Sequence, residues 1–203
     1  MSVPIASIRR LRRSDLPVGA VRLARDLIGK VLVHELPAGR LAGRIVETEA
    51  YLADDASCHA FRGPTLRNRS LFLPHGHAYV YFIYGVWFAL NVSAEPAGVG
   101  AGVLLRAVEP LEGIDLMRRR RGPAPVTDLA RGPGRLATAF RISRRHDGLD
   151  LCAPGRLWLG RMRRPAGRIG TSVRVGITKE IHRPLRFYER GNPCVSGPAR
   201  QRV

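Results

Sequence analysis

Acidic residues and lysine are what this chain has least of. Only 16 Asp+Glu stand against 34 Lys+Arg, a formal net charge of +18, and since Lys30 and Lys179 are its two lysines the excess is arginine. A bias toward arginine codons contributes to such a count, but it does not explain the shortage of compensating acids. Arginine forks match phosphate oxygens and stack on bases, so a polyanionic partner is expected. Cysteine is scarce as well: Cys58, Cys152 and Cys194 lie far apart with no Cys-x-x-Cys pair. That argues against a structural zinc site, an iron–sulfur cluster or a disulfide framework, and suits a reducing cytoplasm. No apolar run approaches the roughly 18 residues of a membrane span. Residues 1–13 carry arginines but no apolar core or small-residue cleavage site, so they read as a loose basic arm rather than a signal peptide. Long linkers and internal repeats are also missing. A chain of 203 residues is then one domain, 14–203, able to bury roughly 70% of its unfolded surface.

What is present is organised around residues 78–93, a stretch rich in aromatic and β-branched residues and broken once at Tyr84-Gly85. Gly admits the positive φ of a tight turn, so the reading is a β-hairpin with Tyr84 at its tip. Strand neighbours cannot bury a side chain at that point. Tyr84 therefore packs under another loop, marks a dimer contact or, on so basic a protein, serves as a wedge between bases. Upstream, Ser14-Asp15-Leu16-Pro17 has the form of a helix start, with Val21, Leu23, Ala24, Leu27 and Ile28 at helical spacing. A strand over 30–36 follows. A second, over 43–51, places Glu47 and Glu49 on one face by its period of two. Residues 54–64, with His59, are expected to be irregular or briefly helical, and 65–69 to form a polar loop.

Residues 102–109 are an apolar strand interrupted by Arg106. A buried guanidinium needs a carboxylate, and the Glu47–Glu49 strand offers two; otherwise Arg106 sits on a solvated face. An amphipathic helix over 111–121 ends in four arginines. Gly132-Pro133-Gly134 opens another over 135–142, with exposed amides suited to a phosphate. Residues 161–170 are expected to form a loop, 172–178 and 184–189 strands. Strands outnumber helices and lack regular crossovers, which indicates a single compact α+β domain around a curved antiparallel sheet with a protruding hairpin.

These stretches together resemble the alkyladenine DNA glycosylase (3-methyladenine DNA glycosylase) family, from about residue 16 to 197. The residues that carry the resemblance begin with Ala24-Arg25-Asp26-Leu27-Ile28-Gly29-Lys30, Arg44-Ile45-Val46-Glu47-Thr48-Glu49-Ala50-Tyr51 and Arg67-Asn68-Arg69. They continue through Tyr79-Val80-Tyr81 with Ile83-Tyr84-Gly85, Leu104-Leu105-Arg106-Ala107 with Glu109-Pro110, and Pro184-Leu185-Arg186-Phe187-Tyr188. The resemblance implies excision of alkylated or deaminated purines from double-stranded DNA by a cytoplasmic, nucleoid-associated, monomeric enzyme with no membrane association and no metal or organic cofactor. It implies that the damaged nucleotide is flipped out and Tyr84 inserted into the gap. By the same resemblance Glu49 is the general base, Arg106 stands beside the catalytic water, and Tyr51, His59 and Tyr81 wall the base pocket. Asn91 then discriminates purines, and Arg67 and Trp87 contact DNA. Two departures stand out. The interval from Tyr51 to His59 is one residue shorter than usual, and Trp87 stands where a tyrosine is common.

The expected chemistry follows general principles. Unstacking a base costs a few kcal/mol, and a wedge offsets part of that by stacking in the vacancy. Aromatic walls favour electron-poor purines such as N-alkylated ones, whereas neutral hypoxanthine would need its leaving group protonated. Cleavage of the N-glycosidic bond passes through an oxocarbenium-like transition state, which a carboxylate stabilises while activating water. Spacing alone does not choose between Glu47 and Glu49; the family match favours Glu49. His59 has a second reading, as a polar neighbour of Asp54 and Asp55. Neither lysine falls in a pocket motif, so a water nucleophile and an abasic product are expected rather than a Schiff base. The rival class is a non-catalytic arginine-rich nucleic-acid-binding module, which leaves Glu49 and Arg106 unexplained. A metal-dependent nuclease would need a second acidic cluster beside Asp54-Asp55.

Overall fold

Thirteen residues, Gly39–Tyr51, form the longest strand and carry the acids of interest. A computed structural model describes residues 8–83 and 85–197. Among these, nine strands form one antiparallel sheet: β1 (Arg9–Arg10), β2 (Val31–Leu36), β3 (Gly39–Tyr51), β4 (Ala78–Ile83), β5 (Trp87–Ser93), β6 (Gly102–Glu112), β7 (Leu157–Arg161), β8 (Ile169–Ser172) and β9 (Arg186–Glu189). The order is β1-β7-β2-β3-β6-β5-β4, with β9 pairing β3 and β8. β3 is therefore shared. Its first half pairs β2, from Leu36↔Gly39 to Val31↔Arg44, and its second half pairs β9 at Glu47↔Tyr188 through Glu49↔Arg186. Register shifts against β6 between Ile45 and Glu47 and between Glu47 and Thr48 mark bulges at the changeover, and bulges bend and twist a sheet. The single α+β domain with a curved antiparallel sheet is thus as expected.

Among the described residues three α-helices pack on the sheet: α1 (Ala20–Leu27), α2 (Ile114–Arg121) and α3 (Pro133–Ala139). α1 buries Ala20, Leu23, Ala24 and Leu27, the i, i+3, i+4, i+7 stripe of an amphipathic helix. It starts later than Ser14. Asp15 accepts from the Arg12 amide at 2.9 Å around a short 3-10 turn, Arg13–Asp15, and Gly19, at φ +106°, redirects the chain into the helix. The core joins this stripe to Leu32, Leu41, Ile45, Leu90, Val103 and Leu105 of the sheet and to Leu136 and Phe140. No helix among the described residues is long and apolar enough to cross a membrane.

The basic stretch read as a loose arm over 1–13 is, over residues 8–13, part of the packed fold. Arg9 and Arg10 pair with Arg161 and Gly160, Arg10 lies over the Trp158 ring at 4.3 Å, and Leu11 is buried. Leu11 supplies the apolar anchor that draws this stretch into the sheet. Residues 1–7 lie outside the described residues. The strand β7, an apolar Leu-Trp-Leu-Gly run, is an element that sequence reading missed. Towards the C-terminus the expected loop over 161–170 contains the end of β7 and the start of β8. The expected strand over 172–178 instead leaves the sheet after Ser172. Side chains explain the exit: the Val175 amide donates to Glu49 at 2.8 Å and Arg174 binds Asp55, so this backbone is held without a ladder.

The hairpin is β4 and β5, in register from Ala78↔Val92 to Ile83↔Trp87. Gly85 at its tip has φ +66°, the left-handed conformation that the turn requires of it. Tyr84 itself lies outside the described residues.

Candidate active site

A cavity of about 200 Å³ opens where β3, β4, β5 and β6 meet the turn after β3 and the segment after β8. Its walls are aromatic because residues two apart on a strand share a face. Tyr79 and Tyr81 of β4 stack with centroids 5.4 Å apart, and His59 meets Tyr81 edge-on at 4.5 Å. Tyr51, at the end of β3, lines the same space. So do Asn91 of β5, Leu104 and Arg106 of β6, Pro133 at the start of α3, and Val175, Gly176 and Ile177. Gly102 lets Leu71 pack closely in the wall, since a Cβ there would lie 2.7 Å from Leu71 Cδ2. The four expected pocket residues, Tyr51, His59, Tyr81 and Asn91, are therefore together.

His59 finds a different neighbour from the two aspartates. Its Nδ1 lies 2.9 Å from the Tyr79 hydroxyl, while Asp55 is engaged by Arg174 and Asp54 by Arg183. Burial, with Arg67 nearby, lowers the His59 pKa, so the ring is neutral at pH 7. Burial raises Tyr79 strongly, and its hydroxyl keeps its proton. Asn68 holds the His59 turn by donating to the carbonyls of His59 at 2.8 Å and Gly63 at 3.0 Å. Asn91 donates to the Tyr79 carbonyl at 3.3 Å, leaving its own oxygen as a further polar group.

The two carboxylates have different surroundings, although both are fully buried. Glu47 accepts from Arg106 Nε at 2.9 Å, Arg186 Nε at 2.7 Å, the Ser196 amide at 2.7 Å and the Ser196 hydroxyl at 2.9 Å. Burial alone would raise its pKa, but Arg106 and Arg186 more than offset this and hold it ionised. Glu49 accepts from Tyr51 Oη at 2.9 Å and the Val175 amide at 2.8 Å, and lies 3.1 Å from Arg106 Nη1. All three of these partners line the cavity; of the partners of Glu47, only Arg106 does. Arg106 thus has its carboxylate in duplicate. Burial works to lower its pKa, and Glu49 and Glu47 raise it further than that.

Outside the cavity Arg67 is exposed, and Trp87 is half exposed with Gly134 packed against its ring. Leu66, Phe82 and Val86 add exposed apolar surface near the loop and the hairpin tip. Sequence reading missed three participants. Tyr79 was legible, since it shares the face of Tyr81. Arg186 carries the same signal as Arg106, an arginine within an apolar strand. Residues 174–177 gave no signal, because their place depends on long-range side-chain partners. Among the described residues no group of three or more His, Cys, Asp or Glu is arranged to hold a metal ion.

The family model for methylpurine-DNA glycosylase (MPG) matches residues 15–193. The chain is 60% identical over 188 residues to a protein of Mesorhizobium japonicum, covering 93% of this chain and 90% of that one. It is 54% identical over 188 residues to one from Paraburkholderia phytofirmans, with 93% and 88% covered. It is 47% identical over 182 residues to one from Methanocella arvoryzae, with 87% and 90% covered. All three carry the name "Putative 3-methyladenine DNA glycosylase".

Proposed function

The chain belongs to the methylpurine-DNA glycosylase family, and from that premise we propose that it takes a damaged purine out of double-stranded DNA and hydrolyses its N-glycosidic bond with water. The product is free base and an abasic site; the DNA strand stays intact. The base enters the cavity between Tyr51, His59, Tyr79 and Tyr81, where a neutral His59 sets no positive charge against an alkylated, cationic ring. Asn91 reads the purine edge. Glu49 takes a proton from the attacking water and stabilises the positive charge that develops on the sugar. Arg106 holds that carboxylate in place. Tyr84 fills the vacated stack from the hairpin tip, Arg67 and Trp87 meet the DNA beside it, and the enzyme works as a monomer.

The observation that carries this reading is the difference between the two acids. Among the described residues the Glu49 carboxylate is joined only to groups that line the cavity, whereas Glu47 is enclosed by Arg106, Arg186 and Ser196. That asymmetry favours Glu49 as the base and Glu47 as the anchor of Arg106. The test is incubation with duplex oligonucleotides carrying hypoxanthine, ethenoadenine or an alkylated purine, followed by hot alkali. Strand cleavage at the lesion only after alkali is the expected result. Cleavage without alkali, or none with any of these bases, contradicts it.

A further inference from the structure

Behind Tyr51 lies an ion pair, Arg174–Asp55, whose side chains have no exposed surface. Arg174 Nη1 donates to Asp55 Oδ2 and, at 3.0 Å, to the Ala50 carbonyl, while Nε and Nη2 have no hydrogen-bond partner among the described residues. The guanidinium carbon is 4.6 Å from the centre of the Tyr51 ring. Tyr51 lines the cavity and Arg174 does not, and the cation lies over one face of that ring. Asp55 also accepts from the Ser57 amide at 2.8 Å and, through its carbonyl, from Cys58 at 2.8 Å. One ion pair thus ties the turn bearing Ser57, Cys58 and His59 to the segment bearing Val175, Gly176 and Ile177, and both line the cavity.

We propose that Arg174 is a specificity-determining residue that acts through Tyr51, setting how strongly the pocket favours a cationic over a neutral base. The inference rests on the glycosylase reading above. An aromatic face attracts a cation through its π density. On Tyr51 one face is already engaged by a guanidinium, and Asp55 meets that cation from one end, through Nη1, while the ring lies 4.6 Å from its carbon. A positively charged base on the opposite face meets a ring polarised away from it and a like charge beyond it. A neutral base meets neither effect. Arg174 therefore restrains a preference for cationic lesions that the aromatic walls alone would make steeper, and keeps neutral lesions within range.

The experiment compares single-turnover excision of 7-methylguanine, whose ring is cationic, with that of hypoxanthine, which is neutral, in otherwise identical duplexes. Arg174→Met keeps much of the side-chain volume and removes the charge; the ratio of the cationic to the neutral rate should rise about three- to tenfold over the parent. Asp55→Asn leaves the guanidinium without its neutralising partner and should lower the ratio. Arg174→Lys should keep it near the parental value. Loosening of the pocket alone slows both substrates together, so an unchanged ratio in Arg174→Met, or a fall, overturns the inference. Should Arg174→Met fail to fold by circular dichroism, Asp55→Asn decides, and a ratio that does not fall overturns it. Failure of the parent protein to excise either base, or ethenoadenine in a third duplex, overturns the glycosylase reading itself; excision of ethenoadenine alone overturns only this one.

Discussion

The Tyr51 hydroxyl donates to Glu49 Oε2 across 2.9 Å, from two positions further along the same strand. One face of β3 therefore supplies both a wall of the cavity and the carboxylate behind it. Burial, then Glu49 itself, raises the Tyr51 pKa above the ordinary phenol value, so the hydroxyl keeps its proton and donates at neutral pH. Tyr51→Phe keeps the ring and removes this donor. A hydrogen bond to a charged group contributes roughly 1.5–3 kcal/mol, so excision should slow by about ten- to a hundredfold while lesion affinity changes little. Single-turnover rates beside equilibrium binding check this; equal loss in both would mean that Tyr51 serves binding alone.

Glu47 should matter more to the fold than to binding. Glu47→Gln leaves Arg106 and Arg186 buried without their shared carboxylate, and breaking a buried pair from one side costs about 3–5 kcal/mol. Urea unfolding should show a loss of that size. A loss under about 1 kcal/mol would show that the two arginines find other partners.

Acid should unfold the protein in part through Glu189. Burial works to raise its pKa, but Arg44, the Gly167 amide and Asn192 offset this and bring it down to about 2, from an ordinary 4.5. A depressed pKa gives stability that is fully present above the ordinary value and lost as pH falls through the folded one. The window is therefore about pH 5 down to pH 2, and the contribution about 2–3 kcal/mol. Stability measured by urea between pH 7 and pH 3 should fall along this slope, and Glu189→Gln should flatten it while lowering stability at pH 7.

Much of this was legible in sequence, for reasons that individual residues make plain. Alternation put Glu47 and Glu49 on one face, and the cost of burying Arg106 required a carboxylate near it; both follow from local rules. Choosing between the acids did not. That choice depends on Arg186, Ser196 and Val175, which lie more than 120 positions away from the acids in the chain. The exit of residues 173–178 from the sheet was hidden for the same reason, since Val-Arg-Val reads as a strand until Arg174 meets Asp55. Leu11 and Arg10 show the opposite case: a buried apolar side chain and an arginine laid over Trp158 help to fix a stretch that its arginines made look loose.

Tyr84 is the proposed wedge, and its loss should weaken flipping more than the first encounter with DNA. Encounter depends on arginine–phosphate contacts and falls with salt. Tyr84→Ala should keep nonspecific affinity and its salt slope, yet lose about 1–3 kcal/mol of specific lesion binding, most for lesions that still pair well. A fluorescent base analogue beside the lesion reports flipping directly; flipping equal to the parent would return Tyr84 to a packing role.

The assignment of Glu49 as the base is tested most directly by single-turnover excision with Glu49→Gln, measured at saturating enzyme on a duplex carrying hypoxanthine. Lesion binding should stay near that of the parent, and the rate should fall by about three orders of magnitude or more, because water activation and charge stabilisation are lost together. Excision by Glu49→Gln within about tenfold of the parent, with folded Glu47→Gln inactive, would contradict the account and exchange the roles of the two acids.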